Sequence, residues 1–168
     1  MKKFLIILFL FLISTTLILF LTIKEKSIIN IYYFDPKSLE LIPEEREFSF
    51  YKWKLLFKKD EIVKEVLMEL IKGPRNSKLK TPIPLGTRIL GVSIKKDIAY
   101  VNFSKELKKN HPGGSLGEIL TIYSIVNTLT ELPFIKKVQI LIDSAIIESL
   151  AGHMDISEPL ERDLNILR

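Results

Sequence analysis

The chain of 168 residues contains no cysteine. That excludes disulfide staples, Cys-ligated zinc, a thiol nucleophile and the acylated cysteine that tethers a bacterial lipoprotein. Histidine is almost as scarce: His111 and His153 are the only two. A catalytic or metal site built on imidazole has to use one or both, with Asp or Glu partners. Charge of one sign is also in short supply. Lys and Arg number 25 against 20 Asp and Glu, a net charge of +5 to which Lys2 and Lys3 contribute two. This is too small a surplus to argue for a nucleic-acid partner. No internal repeat and no low-complexity tract is visible, and a hydrophobic share of 47% excludes intrinsic disorder for most of the chain.

What is present begins with one long apolar run. Residues 4–23 carry no charge and only Ser14, Thr15, Thr16 and Thr22 as polar groups. As a helix rising ~1.5 Å per residue they span about 30 Å, one hydrocarbon core. A cleaved signal peptide is the rival reading, but its apolar region is about 7 to 15 residues and ends at small residues. Here five apolar residues, 17–21, continue past the Ser-Thr cluster, and Lys24-Glu25-Lys26 follows directly. The segment therefore reads as an uncleaved transmembrane anchor. Lys2 and Lys3 with the amino terminus place residues 1–3 in the cytoplasm and the rest outside the cell membrane, in a single pass. Residues 27–163 are left as one domain, with 164–168 as a C-terminal tail.

Within that domain, residues 27–34 are β-branched and aromatic and stop at Asp35-Pro36, a strand and a turn. Residues 39–43 suggest a short edge strand and 44–50 a connecting segment, because Pro43 lacks an amide proton and charges crowd behind it. Asp60 is expected to cap a helix whose Ile62, Val63, Val66, Leu67, Leu70 and Ile71 share one face, ended by Gly73-Pro74. A proline-bearing loop follows. Strands at 88–92 and 98–103 around Lys95-Lys96-Asp97 read as a hairpin, with Ala99, Val101 and Phe103 on one face. Ser115 and Glu118 form the pattern of a capping box for a helix to about Glu131, apolar on most of its circumference and so central. A strand at 138–142 turns at Asp143-Ser144 into a short pairing segment, 146–150. The expected fold is α+β: two main helices on one face of a small mixed sheet, in strand-helix-strand-strand-helix-strand order.

Three stretches in one order carry a family resemblance: Thr87 to Ser93 with Arg88 and Gly91; Gly113-Gly114-Ser115-Leu116-Gly117-Glu118 with Asn127; and Glu148 to Leu160 with Gly152, His153 and Asp155. Together they resemble the GerMN domain of sporulation and spore-germination proteins, from about Ile31 to Asp163. The resemblance implies a secreted or membrane-tethered accessory domain without a known enzymatic role, in an endospore-forming or related bacterium. It also implies likeness to small ring-building modules of secretion and sporulation channels, which associate side by side. Of the motif residues, Arg88, Gly91, Gly113, Gly114, Ser115, Glu118, Asn127, Gly152, His153 and Asp155 are expected to be structural. The chain departs from the family in having no lipoprotein cysteine, Asp143-Ser144 where Asp-Gly is common, no glycine near Phe134, and only one copy of the domain.

Each chemically suggestive residue also has a plain structural reading. His111, in a Pro-Gly loop, is expected to be solvated, and His153 to make a structural hydrogen bond. A Ser115, His111 and Asp143 set fails as a hydrolase triad because Ser115 is explained as a cap. Glu118 places negative charge where an anion at Gly113-Gly114-Ser115 would sit. Wall hydrolysis by Glu118 or Asp143 lacks two carboxylates flanking a cleft. No catalytic, cofactor or metal residue is therefore assigned. Lys95, Lys96, Lys105, Lys108 and Lys109 read as a solvated run, with anionic wall polymer or phospholipid as the alternative. Phe48, Phe50, Tyr51, Trp53 and Phe57 form an aromatic cluster expected over the sheet, or else a partner surface. Residues 152–160 either fold back on the last strand or, with Lys95 and Lys96, offer Ile156, Ser157, Glu158 and Pro159 as a contact surface. The functional expectation is a non-catalytic interaction module of sporulation or germination. Its partners are other envelope or sporulation proteins and itself; the alternative is a module that binds peptidoglycan or its anionic polymers.

Overall fold

The computed structural model describes residues 1–165. Helix α1 (Lys2–Thr22) has no buried residue and is long and apolar enough to cross a membrane. After one further residue, β1 (Lys24–Asp35) begins, and β2 (Glu40–Tyr51) runs back beside it, Lys24 opposite Tyr51 and Asp35 opposite Glu40. The expectation of a short strand and a connector over 39–50 is thereby corrected. Pro43, Glu45, Glu47 and Ser49 face solvent while Arg46 and Phe50 point inward, a period of two masked by the density of charge. Pro43 is tolerated because a two-stranded ribbon leaves each strand one unpaired edge.

Helix α2 (Lys52–Phe57) is a single short turn that the sequence did not announce, and α3 (Lys59–Lys72) follows at once. Ile62, Val63, Val66, Leu67 and Leu70 are buried as their spacing requires. Asp60 sits in the first turn rather than at the cap, which Lys58 occupies without a side-chain bond. Gly73, at φ 100°, ends the helix. Strands β3 (Ile89–Lys95) and β4 (Ile98–Phe103) form the expected hairpin, turned by Lys96 at φ 58°. A short helix, α4 (Glu106–Lys109), precedes α5 (Ser115–Leu129), and β5 (Lys137–Ile142) then pairs parallel to β4.

The other edge of β5 is shared by two fragments. β6 (Ala145–Ile146) pairs with Leu141 and Ile142, and β7 (Leu160–Glu161) with Val138 and Lys137. Between them, residues 147–159 form a loop that is not part of the strand ladder. The strands thus divide into a β1–β2 ribbon and a mixed five-stranded sheet, where the sequence suggested one sheet. One core joins both: Ile31 and Tyr33 from β1, Leu67 from α3, Ile125 from α5, and Val101 and Ile140 from the sheet are in one cluster. At about 1.5–3 kcal/mol for each fully buried Leu or Ile, that shared core makes ribbon and sheet one domain. Helix α5 packs against β1, α3 and β5 and buries ten of its 15 residues, the central position its sequence pattern requires.

Candidate functional site

The residues of the second and third motifs converge at the start of α5. Gly113 and Gly114, at φ 85° and 80°, turn the chain into the helix through backbone conformations that a side chain would strain. Gly114 is the cap residue, and Ser115 is exposed and makes no cap bond. The expected capping box is therefore absent, because Glu118 is engaged elsewhere. Its side chain is 0% exposed. One carboxylate oxygen accepts the backbone N–H groups of Leu150 at 2.8 Å and Ala151 at 2.9 Å, and the other accepts that of His153 at 2.9 Å. Burial pushes the Glu118 carboxyl up, and the amides of Ala151, His153 and Leu150 outweigh it, holding the pKa below the ordinary glutamate value. A carboxylate saturated in this way and closed to solvent cannot shuttle protons to a substrate, which removes Glu118 from hydrolytic chemistry.

The loop hung on Glu118 is fixed at further points. Gly152 N–H donates to Ser149 Oγ, Ile156 N–H to the Glu148 carbonyl, and Gln139 Nε2 to the Ile156 carbonyl, at 2.9, 2.8 and 2.9 Å. Asp155 Oδ1 accepts both the N–H and the hydroxyl of Ser157. Residues 152–160 thus fold back on β5. Ile156, 1% exposed, belongs to the core and not to a contact surface. Glu158 stays exposed, and Ser157 and Pro159 are half-buried. His153 contributes its backbone to Glu118, while its imidazole lines an open polar hollow with Glu148, Ser149 and Asp155.

Asn127, midway along α5, holds the end of the chain: its Nδ2 donates to the Asp163 carbonyl at 2.8 Å and its Oδ1 accepts Asp163 N–H at 3.2 Å. Beside it Glu131 accepts from Tyr32 Oη and Arg162. In the β3–β4 turn Lys96 is exposed and Lys95 lies over the Tyr100 ring at 5.3 Å. Gly91 sits at the irregularity in β3, and the exposed Arg88 guanidinium is 3.7 Å from Glu106. Asp143 and Ser144, at φ 47° and 70°, make the tight turn into β6 without glycine. The two share contacts with strand β4: Ser144 N–H donates to Asn102 Oδ1, and Asp143 N–H to the Phe103 carbonyl.

Three features were not read from the sequence. His111 is not simply solvated: Gly113 N–H donates to its Nδ1 at 3.0 Å, so Nε2 carries the proton toward Thr121 Oγ1 at 3.1 Å, which in turn donates to the Pro82 carbonyl. That relay clamps the proline loop against α5 and shapes an apolar cleft of about 390 Å³ walled by Phe34, Pro82, Pro84, Pro112, Leu116 and Leu120. Arg46 is 2% exposed and bridges Glu44 at 2.5 Å and Glu69 at 3.1 Å, while donating to the Gly73 carbonyl. Tyr33 Oη donates into the same corner, to the Glu69 and Gly73 carbonyls, and burial pushes its pKa up to about 12. Among the described residues no group of three or more His, Asp or Glu side chains is arranged to hold a metal ion.

Comparison with known proteins accords with this geometry. The family model "Germane: Sporulation and spore germination" matches residues 30–148. A crystal structure of a candidate lipoprotein from Clostridium perfringens is similar at 26% identity and a TM-score of 0.57, over 87% of this chain and 93% of that one. The first GerMN domain of the sporulation protein GerM from Bacillus subtilis aligns at 22% identity and a TM-score of 0.63, over 81% of this chain and 98% of that one. The tandem GerMN domains of the same protein align at 19% identity and a TM-score of 0.62, over 85% of this chain and 48% of that one, so this chain spans about half of the tandem. No curated protein matches the chain. The match over residues 30–148, with the second and third motif stretches joined at Glu118, makes the chain a member of the Germane family of sporulation and spore germination domains.

Proposed function

We propose that the chain is a membrane-anchored, extracytoplasmic accessory module that acts in sporulation or spore germination by associating with other envelope proteins or with itself, without catalysis. The observation that carries this reading is the commitment of Glu118, the one acidic residue at the motif centre, to three backbone amides. The motif residues build a shape: their central carboxylate is spent on the backbone of the loop that follows β6. Helix α1 supplies the tether in place of a lipid-modified cysteine. The wall-binding alternative has less to rest on, because Phe48 and Phe50 stack on each other at 5.5 Å with Phe50 buried in the core, which takes two of the five aromatic residues out of any sugar-stacking face.

The test is genetic and uses the full chain. Deletion in the organism of origin is expected to lower the yield of heat-resistant spores or the rate of germination. Re-expression of the whole chain restores the phenotype, whereas a chain lacking residues 4–23 does not. Normal spores that germinate normally after deletion refute the reading.

A further inference from the structure

Helix α2 is too short to be explained by core packing alone, and its faces are sharply divided. Leu55 packs toward the core, and Lys54 reaches back to Glu65 at 2.8 Å and Glu61 at 3.2 Å on α3. On the opposite side Trp53, Leu56 and Phe57 fall at i, i+3 and i+4, Trp53 half-buried, Leu56 62% and Phe57 72% exposed. An outward stripe of this kind on a soluble surface marks a docking face.

The position of the stripe identifies what it meets. The end of α1 and the start of α2 are hydrogen-bonded, Lys52 N–H to the Ile23 carbonyl at 3.0 Å, and Lys24 is paired with Tyr51 across the ribbon. Tyr51 stacks on Trp53 at 6.5 Å, and Lys24 Nζ lies 4.7 Å from the centre of the Tyr51 ring. The aromatic residues and the stripe therefore sit where an inserted α1 leaves the hydrocarbon, the level at which Trp and Tyr collect in membrane proteins.

Charge at the same end agrees. Leu56, Phe57, Lys59 and Lys96 line one open depression, which brings the β3–β4 turn alongside α2. Lys24, Lys52, Lys59, Lys95 and Lys96 form no ion pair among the described residues. Asp60, Glu61 and Asp97 lie nearby, but Glu61 is matched by Lys54 and Lys58, and Asp97 by Lys136. The surplus is cationic, the sign that complements anionic phospholipid.

We infer that α2 and the β3–β4 turn form a membrane-resting platform: Trp53, Leu56 and Phe57 enter the interface of the bilayer that holds α1, and the surrounding lysines engage its anionic headgroups. This rests on the anchor reading given above. The domain then stands on the membrane in one fixed orientation, with the apolar cleft and the Glu118 loop held by the remainder of the fold.

Trp53 is the only tryptophan, so its fluorescence reports on α2 alone. The full chain is reconstituted into phosphatidylcholine–phosphatidylglycerol vesicles, floated through a density gradient, and compared with vesicles whose phosphatidylcholine carries bromine near the headgroup. The expected result is a floated chain whose Trp53 emission is strongly quenched by the brominated lipid. The double substitution L56D/F57D, at exposed positions, keeps the chain floating and loses most of that quenching. A floated chain whose Trp53 emission is unchanged by brominated lipid overturns the platform and leaves the anchor intact. The same holds if the emission shifts only because two copies cross-link through α2. A chain that fails to float overturns the anchor, and the platform with it.

Discussion

Glu118 Oε2 accepts the backbone N–H of His153, 35 positions further along the chain, at 2.9 Å. With the amides of Leu150 and Ala151 on the other oxygen, one side chain in the first turns of α5 fixes the path of the loop between β6 and β7. A hydrogen bond to a charged group contributes about 1.5–3 kcal/mol, and a buried donor left without a partner costs about 1–3 kcal/mol.

Substituting Glu118→Gln keeps the length but replaces one acceptor oxygen with a donor that faces a backbone N–H. The expected loss is about 2–4 kcal/mol of unfolding free energy. It is measured by urea denaturation, together with faster hydrogen exchange at the amides of residues 150, 151 and 153. Unchanged protection at those three amides refutes the role given to Glu118.

Acid should weaken the fold through Glu118 and Glu44. Burial pushes both carboxyls up; at Glu44 the N–H groups of Asn76 and Arg75 and the Arg46 guanidinium more than reverse it, as the loop amides do at Glu118. Each is therefore ionised more readily in the folded than in the unfolded chain. The stability they contribute is complete above the ordinary glutamate value of 4.5 and drains away as pH falls through their lowered folded values. Urea midpoints are expected to be level near neutral pH and to fall in acid, with a shallower fall in Glu118→Gln. Equal acid slopes for the two proteins would exclude this linkage.

Ser115→Ala separates the capping pattern from the observed geometry. A working cap costs about 1 kcal/mol when removed. Because Ser115 makes no cap bond, the substitution is expected to stay within about 0.5 kcal/mol of the parent. A loss of a full kilocalorie in thermal denaturation would restore the cap.

Arg46 ties β2 to the end of α3, and Arg46→Ala leaves Glu44 and Glu69 facing each other without their shared cation. Because both carboxylates are partly solvated, the expected cost is about 2–3 kcal/mol, below the full penalty of breaking a buried pair. Adding Glu69→Gln to Arg46→Ala should recover part of that loss. An additive double mutant would show that the two residues do not interact.

Local regularity was what the sequence made legible. The α3 face, the Lys96-Asp97 turn, the wrapped helix α5 and the β5 strand each follow from a spacing of three to four or of two, which short stretches of chain carry by themselves. Strand β2 was hidden because the charged residues 44–47 read as a loop, although every second side chain points inward and Arg46 is buried with them. The centre of the candidate site was visible as residue types and misread as a local device. Ser115-x-x-Glu118 matches a capping box letter for letter, yet backbone donors 32 to 35 positions away compete for the same carboxylate and win. His111 was misread for the same reason, since its partner Thr121 lies a helix turn and a loop away. Contacts across such separations leave no period in the sequence.

The two fragments that share one edge of β5 set a limit on how copies of the domain can add to one another. The five-stranded sheet offers β3 on one side, seven residues long, while the far side is capped by two pairs of residues with a loop between them. Two-residue strands are too short to template an incoming chain. Growth by extension of the five-stranded sheet is therefore monovalent: a β3-to-β3 pairing joins two copies and then stops. An assembly of more than two copies has to use other surfaces, the helix faces or the β1–β2 ribbon.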